Sequence, residues 1–379
     1  MVYELSKKLV ERGHEVTVFA SDLCRQQKLT VKQHQAVCVN GIETYYFRNA
    51  SNWLAGNAKF ATPYRLPAIM REEIDQFDVL HLHEHRTAFA SAAHFYATKR
   101  AIPYVVQSHG SVLPQFRKQK LKQLFDSAWG NQVLRDAAKL IALTKTEELQ
   151  YLRMGIPQDK IEIVPNGINL AAYERLPVKG EFRKKHALDS RDRVVLFLGR
   201  IHRIKGIDML VASFAELVKV LKEAKLVIVG PDVGFKSTVE KQIELLGIAE
   251  NVQFTGPLYE SDKIEAYVDA DVYVLPSIYD TFPLTVLEAG ACGTPIIVTS
   301  KCGIADLVRE IGLVVEYDAN QMKDALFDVL SDNQLGQRLG QSGKAMVREK
   351  FGYAKIAQQV EKIYEFSIGS ARRKSANSS

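Results

Sequence analysis

No run of apolar residues in this chain approaches the ~20 needed to cross a bilayer as a helix. No basic segment followed by an apolar stretch opens it, so no secretory signal is expected. Cysteine is scarce: Cys24, Cys38, Cys292 and Cys302 are scattered, without C-x-x-C spacing. That argues against a disulfide scaffold or a dithiol redox motif and points to a reduced, cytoplasmic protein. No G-x-G-x-x-G follows a strand, which sets aside a nicotinamide-dependent dehydrogenase. Charge of one sign is not in large excess either, with 50 Lys and Arg against 44 Asp and Glu, a net +6. This balance permits an anionic ligand or an anionic membrane surface and does not call for nucleic acid, which is not expected as a partner.

What is present is ordinary for a globular protein: 46% hydrophobic and 25% charged residues over 379 positions, enough for two domains. Apolar strand-like runs alternate with helix-like segments, the pattern of an α/β protein with parallel sheets. In the first half the runs are Val16–Ala20, Ile42–Phe47, Val79–Leu82, Tyr104–Gln107, Leu140–Leu143 and Ile161–Val164. In the second they are Val194–Leu198, Lys225–Val229, Val252–Thr255, Val272–Leu275, Ile296–Thr299 and Leu313–Val315. The two halves read as two doubly wound domains. The expected divisions are a first domain over 1–168, a linker over 169–186 around Pro177 and Gly180, and a second domain over 187–350. A C-terminal helix over 351–368 is expected to pack back on the first domain, and a disordered tail to occupy 369–379. The opening is unusual. Met1–Arg12 has the spacing of an amphipathic helix, whereas a doubly wound domain begins with a strand and a tight glycine turn. The expectation is a chain truncated at its N-terminus.

The segment Pro276 to Thr299 carries the most chemistry. A strand ends at Leu275, and a helix follows with Thr281 as its expected N-cap, Pro283 in its first turn and Gly293 at its end. Backbone N–H groups at a helix start suit an anion. Asp280 and Glu288 flank that start and can accept hydrogen bonds from hydroxyls, so a ligand with both phosphate and hydroxyls fits. A second segment, Phe197 to Gly206, places Arg200, Arg203 and Lys205 just after another strand. Cations at a strand carboxyl end suit a diphosphate, although a solvated basic loop has the same composition.

Together these segments resemble glycosyltransferase family 4. The chain is similar to that family over roughly residues 1 to 365, through Gly199-Arg200, Lys205-Gly206, and the pair Asp280 and Glu288 separated by seven residues. Phe282-Pro283-Leu284, Val164-Pro-Asn-Gly167, Val229-Gly-Pro-Asp232, Val252-Gln-Phe-Thr-Gly256 and Cys302-Gly-Ile-Ala-Asp306 add weaker matches. The resemblance implies an α/β GT-B fold, two Rossmann-like domains facing a central cleft. It implies a retaining enzyme of cell-envelope glycan biosynthesis that moves a sugar from a nucleoside-diphosphate sugar to a glycan or lipid-linked acceptor. Arg200 and Lys205 would bind the donor diphosphate, Asp280 and His109 the sugar hydroxyls, and Glu288 the ribose. Gly199, Phe282, Pro283, Leu284, Thr285, Gly256 and Leu258 would complete the donor site. The chain departs from the family at Asp280, where Glu is usual, and at Pro283, whose missing N–H removes one backbone contact. No cofactor is implied beyond the nucleotide-sugar co-substrate, and no metal is required, because the cations neutralise the leaving diphosphate. The alternative is a non-catalytic or impaired nucleotide-sugar-binding relative, since the opening strand and glycine turn are absent.

Two further features have competing readings. His81, His83 and His85 alternate, which in a continuing strand would put all three on one face, as zinc ligands or as a lining of the site. Phe116 to Phe125 is basic and partly apolar. It suits a peripheral contact at the inner face of a membrane or a lipid-linked acceptor, and equally a plain solvated helix face.

Overall fold

The computed structural model describes residues 1–24, 27–28, 35–51, 53, 61–113 and 119–376. They form two compact units, Met1–Pro165 with Tyr353–Ser379, and Asn166–Gly352.

The second unit is built on one parallel sheet of six strands. In spatial order these are Val252–Gly256, Ala224–Val229, Arg193–Leu198, Val272–Leu275, Ile296–Thr299 and Leu313–Val315. Numbered along the unit's own chain the order is 3-2-1-4-5-6, the Rossmann arrangement. Val272–Leu275 and Ile296–Thr299 are buried from end to end, and Arg193–Leu198 and Ala224–Val229 at all but one position each, which explains why they read as nearly continuous apolar runs rather than alternating ones. Helices are started by side chains where the sheet does not fix them. Asp318 accepts from the N–H groups of Asn320 and Gln321 at 3.0 and 2.9 Å, and Asp332 does the same for Gln334 and Leu335.

The first unit contains two separate larger sheets. Thr17–Ser21 pairs in parallel with Ile42–Phe47, and Ala36–Val39 adds an antiparallel edge. Leu80–His83, Tyr104–Gln107, Lys139–Ala142 and Ile161–Ile163 form a four-stranded parallel sheet. Alternation along the strands divides the core. Tyr104, Val106, Leu140 and Ala142 face one cluster with Phe47, Leu66, Ile69 and Leu134. Val105 and Ile141 face another, made with Leu5 and Leu9 of the first helix, Val2–Glu11, and with Tyr353, Ile356, Val360 and Ile363 of the last, Tyr353–Ala376. Glu361 fastens these helices together, accepting from Arg12 Nε at 3.0 Å and pairing with His14 Nε2 at 2.7 Å.

Two expectations change. Residues 169–186 are not a free linker. A 3₁₀ turn, Leu170–Tyr173, and a helix, Glu181–Lys185, belong to the second unit. Asp269, which is 1% exposed, accepts from the N–H groups of Gly180 and Arg183 at 2.5 and 3.0 Å. The buried Arg183 guanidinium then donates to Asp271 and to the carbonyls of Asp189, Asp192 and Asp269. The contacts from Asp269 and Asp271 come from 86 to 89 positions away and leave no local signal. The tail is also more ordered than expected, because the last helix continues through Ala376. Its Ala371, Arg372 and Arg373 are good helix formers. Residues 377–379 lie outside the described residues, as do Phe116, Arg117 and Lys118 of the basic segment. What is described there is a helix, Gln119–Phe125, with Leu121 and Leu124 exposed. Among the described residues no helix is long and apolar enough to cross a membrane.

Candidate active site

Open parallel sheets bind ligands where the strand order reverses, outside the carboxyl ends of the two strands at that point. In the second unit these are Arg193–Leu198 and Val272–Leu275. The loops leaving them, 199–206 and 276–283, lead into the helices Ile207–Val220 and Leu284–Cys292.

The two loops are joined. The Ile278 N–H donates to the Ile204 carbonyl at 2.9 Å. Gly206 has φ +66°, and a Cβ there would lie 2.0 Å from the Pro276 carbonyl oxygen, so only glycine lets the first loop close against the second. Lys205, at the end of the 3₁₀ turn Arg203–Lys205, forms an ion pair with Asp280. The two side chains are 15% and 18% exposed. From the opposite side the Asp280 carbonyl accepts from the Gly303 N–H at 2.6 Å. A Cβ on Gly303 would lie 2.4 Å from the Thr281 carbonyl oxygen. Asp280 is therefore held by its carboxylate on one loop and by its backbone on another. Arg200 is exposed and has no ion-pair partner among the described residues.

The helix Leu284–Cys292 starts two residues later than its sequence suggests. Thr281 does not cap it. The backbone of the preceding Asp280 is drawn into a bridge with Cys302, and Pro283, extended at φ −73° and ψ 115°, takes the N-cap position without a side-chain bond. The first N–H groups of the helix are thus left for another acceptor. Phe282 is buried, its ring centroid 6.3 Å from that of Phe351. The Thr285 hydroxyl and the Tyr273 hydroxyl are 2.7 Å apart.

Glu288 stands one turn into that helix, its side chain 14% exposed. Oε1 accepts from Lys263 Nζ at 2.7 Å and Oε2 from the Tyr267 hydroxyl at 3.0 Å. Burial first, and the neighbouring Glu288 charge second, raise the Tyr267 phenol well above its ordinary pKa, so it remains a donor. Gly199 donates its N–H to Val229 at 3.0 Å, and the Gly256 carbonyl accepts from Gly230 at 2.9 Å. Leu258 is half-buried in the loop before the helix Glu260–Asp269. Gly199, Arg200, Lys205, Asp280, Phe282, Pro283, Leu284 and Thr285 thus lie on two joined loops and one helix start. Lys263, Tyr267 and Tyr273 were not legible as site residues. The only local signal for the first two was their i, i+4 spacing on one helix.

In the first unit His109 follows the strand Tyr104–Gln107 in the left-handed region, φ +49°. Its Nε2 shares a hydrogen bond with His83 Nδ1 at 2.9 Å, and its loop is pinned by Glu147, which accepts from the Gly110 N–H at 2.6 Å. His81 stacks on His83 with centroids 4.2 Å apart and bonds the Tyr364 hydroxyl at 2.7 Å. Burial lowers His81 to about 3 and His109 to about 4, so both rings are neutral at pH 7. The three alternating histidines do not share a face. The strand stops at His83, Glu84 turns with φ +72°, and His85 bonds Ser108 at 3.0 Å instead. Among the described residues no group of three or more His, Cys, Asp or Glu side chains is placed to hold a metal.

Comparison with known proteins places this geometry in a family. The model for glycosyltransferase family 4 matches residues 1–172, and that for glycosyl transferases group 1 matches residues 178–346. The uncharacterized glycosyltransferase MJ1607 of Methanocaldococcus jannaschii is 26% identical, over 96% of this chain and 93% of its own. The D-inositol 3-phosphate glycosyltransferase of Pseudarthrobacter chlorophenolicus is also 26% identical, over 97% and 89%. Among solved structures, Anabaena Alr3699/HepE in complex with UDP-glucose superimposes with a TM-score of 0.70 at 18% identity, covering 85% of this chain and 86% of that one. The chain belongs to glycosyltransferase family 4 and is a glycosyltransferase of the GT-B fold.

Proposed function

We propose that the protein transfers a glycosyl unit from a nucleoside-diphosphate sugar to an acceptor hydroxyl, with retention of anomeric configuration. The observation that carries this reading is the contact between Lys205 and Asp280 at the strand-order reversal. In a nucleotide sugar the transferred sugar is bonded to the terminal phosphate, so a phosphate-binding cation and a hydroxyl-binding carboxylate must be neighbours. Glu288 lies one helical turn beyond the helix start, and in this reading it takes the ribose that follows the diphosphate. The UDP-glucose complex of the Anabaena structure supports a donor of this chemical class.

In this reading, cleavage of the anomeric C–O bond builds negative charge on the departing diphosphate. Arg200, Lys205 and the N–H groups of Leu284 and Thr285 stabilise it without reorganising. Asp280 and His109 take the sugar hydroxyls. Gly199, Phe282 and Pro283 shape the phosphate side, and Gly256 and Leu258 the base side. Pro283 offers no N–H, so Leu284 supplies the first backbone contact. These cations fill the role a divalent metal would otherwise have, and turnover is expected to survive EDTA.

Lys205→Ala should lower turnover by roughly a hundredfold or more and weaken binding of the free nucleoside diphosphate in isothermal titration. Unchanged nucleotide affinity would remove Lys205 from the phosphate site. Asp280→Ala should weaken the nucleotide sugar and leave the free nucleotide nearly unaffected; equal losses would contradict its sugar role. The exposed Leu121 and Leu124 beside Lys120 and Lys122 support a peripheral contact with an anionic bilayer or a lipid-linked acceptor. Absence of co-sedimentation with phosphatidylglycerol vesicles at low salt would count against it.

A further inference from the structure

Two side chains from one helix hold the carboxylate of Glu288. Lys263 and Tyr267 are four residues apart on Glu260–Asp269, so they share a face, and each takes a different oxygen, at 2.7 and 3.0 Å. Neither contact is a surface accident. Glu288 is 14% exposed, Lys263 is 25% exposed, and Tyr267 is fully buried. Partly buried ion pairs contribute little net stability, because desolvation offsets their attraction. A leucine or methionine would fill the same space. The lysine therefore calls for another explanation.

A glutamate's last torsion is broad and roughly twofold, so an unrestrained carboxylate turns freely about it. Lys263 on one oxygen and Tyr267 on the other stop that rotation. An ionised carboxylate has about four lone-pair sites. With one used on each oxygen, one on each oxygen remains, and the pair matches two adjacent hydroxyls. A fixed acceptor also avoids the ordering cost of binding a diol.

We infer that Lys263 is a positioning residue for the donor site, which with Tyr267 orients Glu288 to accept both hydroxyls of a vicinal diol on the nucleoside ribose. The inference rests on the proposed role of Glu288 and adds a residue to it. Lys263 touches the ribose only through Glu288, so its removal should abolish recognition of the diol while leaving the diphosphate contacts intact.

The test uses the full chain and isothermal titration. The probes are whichever of UDP, GDP and ADP the wild type binds best, the 2′,3′-dideoxy counterpart of that nucleotide, and inorganic pyrophosphate. The wild type should bind the dideoxy nucleotide roughly tenfold more weakly or worse. Lys263→Met should bind the two nucleotides within about twofold of each other, with pyrophosphate affinity unchanged, and Lys263→Arg should restore most of the discrimination. Melting temperatures are recorded alongside, and Lys263→Gln replaces the methionine variant if the latter fails to fold. A wild type that binds none of the three nucleotides, or does not distinguish the dideoxy form, overturns the Glu288 reading and this inference with it. A Lys263→Met variant that discriminates as well as wild type overturns this inference alone. A parallel loss for both nucleotides and pyrophosphate overturns it too, by making Lys263 a phosphate contact.

Discussion

At the scale of single residues the site depends on what is missing as much as on what is present. Gly206 has no Cβ because the Pro276 carbonyl occupies its place. Gly206→Ala combines a left-handed backbone with a clash against main chain, which cannot swing aside as a side-chain tip would. The expected cost is ~2–5 kcal/mol, measurable as a lower denaturant midpoint for the second unit, with a matching loss of nucleotide affinity. A fully stable alanine variant would show that the two loops are not locked together as described. The carboxylates Asp280 and Glu288 could be picked out of the sequence, because a strand end, a helix start and a proline frame them. Their lysine partners could not. Lys205 reads as a phosphate ligand, and its pairing with Asp280 joins residues 75 apart. Lys263 is indistinguishable in the sequence from any exposed helix lysine.

At the scale of elements, strands were the most legible feature. Tyr104–Gln107, Val272–Leu275 and Ile296–Thr299 lie where their apolar runs place them, since a strand buried along its whole length has no exposed polar positions to blur its ends. Helix starts were less legible. Thr281 has the right chemistry for a cap, yet its neighbour Asp280 is paired with the 302–303 turn and the N-cap falls at Pro283 instead. The strand ends of the first unit carry a consequence for pH. His81 and His85 are lowered to about 3, His109 to about 4, and His83 well below its ordinary value, burial being the first cause in each. The unfolded chain therefore takes up protons before the folded one does. Stability falls as pH drops below 6.5, by roughly 1.4 kcal/mol per imidazole for each full pH unit. Glu147, raised to about 6 by burial, and Glu84, also raised by burial, act with the opposite sign above 4.5, two groups against four. Amide hydrogen exchange should show the strand Tyr104–Gln107 losing protection between pH 6.5 and 5, while Val194–Leu198 does not. Equal loss in both units would contradict this assignment.

At the scale of the whole molecule, the second unit is one uninterrupted stretch of chain set into the first. Where the chain enters and leaves it, Ile168 pairs with Gly352, and the Ile168 N–H donates to Phe351 at 2.8 Å. Its ends are thus adjacent, as in inserted domains that fold independently. A protein comprising residues 166–352 should unfold cooperatively and bind a nucleoside diphosphate on its own. A non-cooperative melt would show that the boundary is misplaced. The same topology reverses the usual order of folding on the ribosome, where N-terminal domains finish first. One core of the first unit joins Leu5 and Leu9 to Tyr353, Ile356 and Val360, residues made only after the whole second unit. Until they are made the first helix must wait with its apolar face uncovered, while the second unit can already be complete. A nascent chain arrested at residue 352 should therefore present a finished nucleotide-binding unit joined to an unfinished one, and the first helix is where a chaperone would find it.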